Sequence, residues 1–323
     1  MDARPAPASR PWRAGTGAGE RGDRVLVILG PTATGKSEVA VEVALRIGGE
    51  IVSADSRAFF RGLDIVTDKP SPEARARVPH HLIDTVPIDG SYDAMAFRAD
   101  CDRLVREIAA RGRVPIVAGG GTLYLGAILR GIFTGPSADL ALRARLSARA
   151  LPDLAASLAK VDPEAAGRIH PRDRMRLVRA LEVHEISGRP ISALQKEARP
   201  LPHRFVVVGL RRERDDHRSG VAARVREMLD RGLVEEVARL RAAGLTKSAQ
   251  AYRTIGVREA SAFLDGEMTR SEMEEAIVRN TWSLVRRQMA WFRAEARVRW
   301  FDVTERAPGD VAGDIFQHWE KPA

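Results

Sequence analysis

A strand, a turn bracketed by glycines and a helix follow one another near the start of this chain, and together they constrain how the rest can fold. The turn is Gly30-Pro-Thr-Ala-Thr-Gly-Lys-Ser37. Ahead of it, Arg24-Val-Leu-Val-Ile-Leu29 is an apolar run with the length and branching of a buried strand. Behind it, Glu38-Val-Ala-Val-Glu-Val-Ala-Leu-Arg46 reads as a helix. G-x-x-x-x-G-K-S in that setting is a phosphate-binding loop. Its glycines let the backbone close around anionic oxygens, and successive N–H groups and the positive helix end then point at them. Lys36 adds a point charge, and the Ser37 hydroxyl can ligate Mg²⁺. Nucleotide-binding kinases, ATP-binding NTPases and some transferases share the motif. It therefore specifies a polyphosphate site and leaves the reaction open.

The segments that follow extend the pattern. Glu50-Ile-Val-Ser-Ala54 reads as a second strand and delivers Asp55-Ser56 to its carboxyl end. In an open α/β sheet that edge is where ligands sit. Pro79-His-His-Leu-Ile-Asp84 resembles a strand entry, and Tyr92 to Ala110 reads as a helix. Val114-Pro-Ile-Val-Ala118 is a further strand running into Gly119-Gly-Gly-Thr-Leu-Tyr124, a second glycine turn suited to a phosphate. Strands alternating with helices predict an α/β fold with a parallel sheet.

From Ser137 the character changes. Residues 137–200 carry no convincing strand, are rich in arginine and are punctuated by Pro152, Pro163, Pro171 and Pro190. They read as an all-helical insertion between two parts of the α/β core, 24–136 and 201–323. Phe205-Val-Val-Val-Gly-Leu210 restores a buried strand, and helical periodicity runs through Val221–Ala243, Arg258–Leu264 and Ser271–Ala296. Val298-Arg-Trp-Phe301 reads as a last strand. Residues 1–23, rich in Ala, Pro, Gly and Arg, are expected to form a disordered tail.

The chain has 323 residues, a net charge of +9 and one cysteine, Cys101. A single cysteine excludes an internal disulfide and a cysteine-rich zinc site, and fits a reduced cytoplasmic setting. No apolar run approaches a membrane span. The positive balance favours a polyanionic partner. Two stretches concentrate it. Arg172, Arg176 and Arg179 fall at i, i+4 and i+7, so a helix would place them on one face, opposite Leu177 and Leu181. From Arg168 to Arg179 there are five arginines against one acid, Asp173, where a solvated face would mix signs. Further on, Arg286, Arg287 and Arg293 are interleaved with Trp282, Trp291 and Phe292. Aromatics among arginines can stack bases and grip a single-stranded loop; they can equally be core beside surface cations.

Asp55, on the same sheet edge as the phosphate loop, is placed to bind Mg²⁺ or take a proton, or to cap a turn. His80 and His81 are adjacent, point different ways and make a poor metal pair. His184 reads as a satisfied core residue. No protein-only metal site is expected.

Taken together the pieces resemble the tRNA dimethylallyltransferases, or tRNA isopentenyltransferases, from about Val25 to Asp302. The elements in family order are Gly30–Ser37; Ser53-Ala-Asp-Ser56 with Arg61-Gly-Leu-Asp-Ile65 and Lys69-Pro70; and His80-His-Leu-Ile-Asp84. Arg168-Ile-His-Pro171, Arg179-Ala-Leu-Glu-Val183, Gly232-Leu-Val-Glu-Glu-Val237, Ile255-Gly256, Arg286-Arg-Gln288 and Trp291-Phe-Arg293 follow. The resemblance implies a P-loop NTPase-like core that transfers a dimethylallyl group from dimethylallyl diphosphate to tRNA. The acceptor would be N6 of the adenosine 3′-adjacent to the anticodon, in tRNAs reading codons that begin with U.

It further implies that Gly30, Pro31, Thr32, Ala33, Thr34, Gly35, Lys36 and Ser37, with Gly121, hold the donor's diphosphate, and that Ser37 holds Mg²⁺. Asp55 matches the base, and Lys36, Arg253 and Thr122 match groups at the leaving diphosphate. Positions matching tRNA contacts are Asp55, Ser56, Arg57, Ala58, Arg143, Met175, Arg176, Leu177, Val178 and Arg179. Arg253, Thr254, Ile255, Gly256, Val257, Arg258, Arg286, Arg287, Gln288 and Arg293 complete them. A monomer without membrane attachment is expected.

Three of the departures from the family pattern would lie at or near the reaction centre. Ala58 and Phe60 stand where a glutamine and a hydroxylated aromatic are usual, and Asp68 and Trp282 replace an alanine and an arginine. The threonine of the second glycine turn moves from 121 to 122, which turns its side chain by roughly 100° at a helix start. Three rivals stand beside the main reading: an adenylate isopentenyltransferase acting on free AMP or ATP, a P-loop nucleotide kinase, and a tRNA-binding relative without catalysis.

Overall fold

The computed structural model describes residues 24–321. The expected tail, residues 1–23, lies outside the described residues. The rest falls into two compact units, one made of the chain up to Leu125 and from Pro202 onward, the other of Gly126–Leu201.

The first unit is built on a six-stranded sheet in the order β3-β2-β4-β1-β5-β6. The strands are β1 Arg24–Leu29, β2 Gly49–Ser53, β3 His80–His81, β4 Val114–Gly119, β5 Arg204–Arg211 and β6 Arg299–Asp302. Every pairing is parallel. Val25 to Leu29 are wholly buried without polar alternation, as a central parallel strand covered on both faces requires. The helices of this unit are α1 Lys36–Ile47, α2 Pro72–Arg77, α3 Ala94–Ala110 and α4 Thr122–Leu129, the last running across the boundary at Leu125.

The second unit holds α5 Leu140–Ser147, α6 Leu151–Val161, α7 Pro163–Arg168, α8 Arg174–Ser187 and α9 Ile191–Lys196. Its boundary precedes the composition change at Ser137 because its two ends pair, Leu201 N–H donating to Ile128 O at 2.9 Å. Phe133 packs against its core of Leu146, Leu154, Leu158, Leu177 and Leu181.

After β5 the first unit resumes with α10 Arg214–Asp230, α11 Leu233–Ala242, α12 Val257–Leu264, α13 Arg270–Arg293 and α14 Pro308–Glu320. The single helical stretch read over Val221–Ala243 is two helices, broken at Gly232, whose φ of 94° only glycine adopts without strain. Helix α14 was not read from the sequence. It packs Val311, Ala312, Ile315 and Trp319 with α1 residues such as Val39 and Val43 into the main core. Arg24 stacks over the Trp319 ring at 4.1 Å and donates to its carbonyl. Burying a ring of that size contributes about 2–3 kcal/mol. No described helix is long and apolar enough to cross a membrane.

Candidate active site

The sheet order sets out the site. Ser53 at the end of β2 lies beside Ala118 of β4, and Leu29 at the end of β1 lies beside Gly119. The turns carrying Asp55, the second glycine run and the phosphate loop therefore leave three adjacent strands side by side. Asp55's turn and the loop sit two strand spacings apart, roughly 10 Å. Both open onto one cavity of about 1110 Å³, lined by Thr32 to Glu42, Asp55, Ala58, Gly119, Gly120 and Arg224 among others.

The loop takes the shape its sequence requires. Gly35 caps α1 at φ 69°, and Ala33 is left-handed at φ 62°. For a residue with a side chain that conformation costs about 1 kcal/mol, so neighbours must hold it. They hold it through Thr32. Its N–H donates to Gln288 Oε1 at 3.0 Å, its carbonyl contacts His217 Nε2 at 2.8 Å, and its hydroxyl accepts from Arg224 Nη1 at 2.9 Å. A carbonyl only accepts, so the His217 proton resides on Nε2. Burial, and after it the charges of Lys36 and Arg212, lower the pKa of His217. Neutral imidazole is thus the form that fits.

Lys36 donates Nζ to Pro31 O at 2.6 Å. Burial foremost, then Arg224, lower its pKa to about 8, with Asp55 and Glu38 opposing. The loop cation is therefore costly to keep in this cavity, and an anion arriving there would relieve it. Arg224 also approaches Asp68 at 3.4 Å, and Arg231 binds Asp68 at 2.9 Å. Asp68 thus anchors two arginines of α10 and its C-terminal end on the cavity wall.

Asp55 Oδ1 accepts from Arg57 N–H at 2.8 Å, and no hydrogen bond among the described residues engages Oδ2. The turn-capping and proton-accepting readings of Asp55 are thus served by different oxygens. Arg57 donates to Gln250 O at 2.9 Å. Burial lowers its pKa, while Asp55 and Tyr124 raise it and the nearby Arg253 and Arg258 lower it. Below this turn Glu236, 3% exposed, accepts the N–H groups of Asp64, Ile65 and Val66. Buried Lys69 binds Asp64, Asp84 and the Phe60 carbonyl.

Other residues expected at the site lie off the large cavity. Gly121 and Thr122 do not line the cavity, whereas Gly119 and Gly120 do. The Gly121 N–H is taken by Ala54 O at 3.0 Å, so it is not offered to an anion. Arg253 lines a separate cavity of about 360 Å³ with Ser91, Thr246 and Gln250. Phe60 is wholly buried and lies off the large cavity, so its missing hydroxyl is not missing from the wall; Ala58 is on the wall.

Of the positions matched to tRNA contacts, Ala58, Leu177, Val178, Thr254, Val257 and Gln288 have buried side chains, and Gly256 is buried too. Leu177 and Val178 belong to the second unit's core. Arg143 and Arg179 are turned onto Glu182, a wholly buried carboxylate that also accepts from Asp139 N–H. Burial opposes its ionisation, yet those bonds hold its pKa below the ordinary value. Helix α8 begins at Arg174 behind the cap Asp173, so Arg172 precedes the helix and does not share the face of Arg176. Arg174 caps α5 by donating to Ser147 O and Arg149 O. The cationic face therefore reduces to exposed Arg176 beside exposed Met175. On the first unit, Arg253, Arg258, Arg286, Arg287 and Arg293 are exposed, while Phe292 is core. His184 is not satisfied as expected: its buried Nδ1 has no partner among the described residues.

Sequence reasoning did not single out His217, Arg224 or the structural part played by Gln288. Each meets the loop from well over a hundred residues away.

Comparison with known proteins fits this geometry. The IPP transferase family model matches residues 58–295. A tRNA dimethylallyltransferase of Geobacter sulfurreducens is 42% identical over 285 residues, 86% of this chain and 92% of that protein. One from Thermotoga maritima is 41% identical over 291 residues, 89% and 95% of the two chains. The crystal structure of the tRNA isopentenylpyrophosphate transferase of Bacillus halodurans matches with a TM-score of 0.70 at 34% identity, over 92% of this chain and 95% of that one. A eukaryotic dimethylallyltransferase captured acting on tRNA shares the fold, with a TM-score of 0.75 at 24% identity over 88% and 74%. With the phosphate loop, the Asp55 turn and the second glycine turn side by side on one sheet edge, and with the family match covering most of its length, this chain belongs to the IPP transferase family.

Proposed function

We propose that this chain transfers a dimethylallyl group from dimethylallyl diphosphate to tRNA, at N6 of the adenosine 3′-adjacent to the anticodon, and releases diphosphate. The substrates are tRNAs reading codons that begin with U. The observation that carries the reading is that Lys36 and Asp55 face the same cavity in a chain of this family.

The bond between the donor's C1 and its bridging oxygen breaks as the bond from N6 to C1 forms. Negative charge then grows on the diphosphate, where Lys36 and the loop N–H groups lie ready to stabilise it. The N6 proton goes to Asp55, through the oxygen its own turn leaves unused. The amine is a weak nucleophile, so holding it against C1 between these two groups supplies much of the rate. Reaching that position requires the adenine to leave its stack. The exposed arginines of each unit supply phosphate contacts.

The donor set suits Mg²⁺. Ser37 is an exposed hydroxyl on the cavity wall, and the described residues hold no cluster of three or more metal-binding side chains to compete. Ser37 together with diphosphate oxygens would hold the ion, which would neutralise charge on the leaving group. We take the protein to act as a monomer in the cytoplasm, where tRNA is found.

The test combines purified protein and labelled dimethylallyl diphosphate with unmodified tRNA, AMP or ATP. Label entering tRNA alone is the expected result. Label in AMP or ATP would support an adenylate isopentenyltransferase, and phosphoryl transfer without prenylation a kinase.

A further inference from the structure

Gln288 is buried, on the inner side of α13, while its neighbours Arg286 and Arg287 are exposed. Its amide spans two turns from different strands. Oε1 accepts from Thr32 N–H in the phosphate loop at 3.0 Å, and Nε2 donates to Gly120 O in the second glycine turn at 2.8 Å. This orientation is forced, since a flipped amide would set donor against donor and acceptor against acceptor. The fit is close on the other side as well. A Cβ on residue 120 would lie 2.5 Å from Gln288 Nε2 and 3.3 Å from Gly30 O, so only glycine lets the three segments meet.

We propose that Gln288 is a positioning residue that fixes the phosphate loop against the second glycine turn and so sets the loop's affinity for diphosphate. The inference rests on the transferase reading. Thr32 is one residue before the strained Ala33, and its amide is held by this one side chain. Without that hold, Ala33 relaxes and the N–H groups that face the diphosphate lose their alignment. His217 and Arg224 still grip the Thr32 carbonyl and hydroxyl, so the effect stays local to the loop. The position needs one acceptor and one donor at the reach of glutamine. Leucine offers neither, and a glutamate carboxylate offers only the acceptor. A protonated glutamic acid offers both, in the same places.

The experiment measures binding of inorganic diphosphate to the full chain by calorimetry, from pH 5 to pH 8, for wild type, Gln288→Leu and Gln288→Glu. Both variants are expected to bind about tenfold or more weakly at pH 8. The ratio of Gln288→Glu to wild type should return toward one as pH falls through the carboxyl's titration, while Gln288→Leu should not recover. Gln288→Leu binding diphosphate as wild type does, or a pH-independent ratio for Gln288→Glu, would overturn the proposal. If Gln288→Leu does not fold, the pH recovery of Gln288→Glu decides alone. Wild type failing to bind diphosphate would instead sink the transferase reading on which the proposal stands.

Discussion

Replacing Lys36 with methionine should make the unliganded protein more stable while destroying its anion site. The lysine's pKa falls from 10.5 to about 8, chiefly through burial and then the charge of Arg224. At 1.36 kcal/mol per unit, keeping it protonated in the fold costs about 3 kcal/mol relative to the unfolded chain. Its bond to Pro31 O returns about 1 kcal/mol, so Lys36→Met should gain about 2 kcal/mol at pH 7. For a chain of this length that is roughly 3 °C in Tm. Between pH 8 and 10.5 the unfolded chain retains a proton that the native state has lost, so wild type gains stability as pH rises through that window. Methionine carries no such proton, and the gap between the two proteins should close by about pH 10. Thermal unfolding of both proteins at pH 7 and pH 10, without ligand, measures it. A variant no more stable than wild type at pH 7, or a gap that persists at pH 10, would refute the reasoning.

The remaining predictions follow from the same contacts. Diphosphate binding by wild type should weaken about tenfold per pH unit above pH 8, as the free Lys36 loses its charge; a flat titration to pH 10 would contradict this. Asp55→Asn should abolish prenyl transfer in a single-turnover assay while tRNA affinity changes less than about twofold; wild-type rates would remove Asp55 from the base role. Glu182→Ala should destabilise the unit formed by Gly126–Leu201 by about 2 kcal/mol, seen as faster amide exchange there. That figure is discounted because the side chains of Arg143 and Arg179 are 40% and 32% exposed. Removing Arg286 and Arg287 together should weaken tRNA binding and lower the salt slope of log K by about 1.4; an unchanged slope would clear them as phosphate contacts.

What the sequence revealed and what it hid divide along a physical line. Elements driven by local composition were legible. The apolar run of β1, the glycine-bracketed loop and α1 each carry their own pattern, and a parallel sheet follows from their alternation. Position on the sheet edge was legible too, since a residue just past a strand end has few places to go, as with Asp55. Side chains that arrive from far along the chain were not. Gln288 sits in a motif that reads as basic and surface-facing, and only packing turns it inward to the loop. Arg143 and Arg179 look like free cations until Glu182 is found between them, buried in a helix whose cationic pattern dominates the eye. The second glycine turn shows the limit most clearly. A run of three glycines does not say which one faces the cavity, and the backbone bond from Gly121 to Ala54 settles that in favour of Gly119 and Gly120.

The most direct measurement is mass spectrometry of nucleosides from an unmodified tRNA incubated with this protein, dimethylallyl diphosphate and Mg²⁺, with released diphosphate counted in parallel. The account predicts a dimethylallyl group on N6 of the adenosine beside the anticodon and one diphosphate freed for each group transferred. Unmodified tRNA recovered from a folded protein that binds diphosphate, or consumption of ATP in place of the prenyl donor, would contradict it.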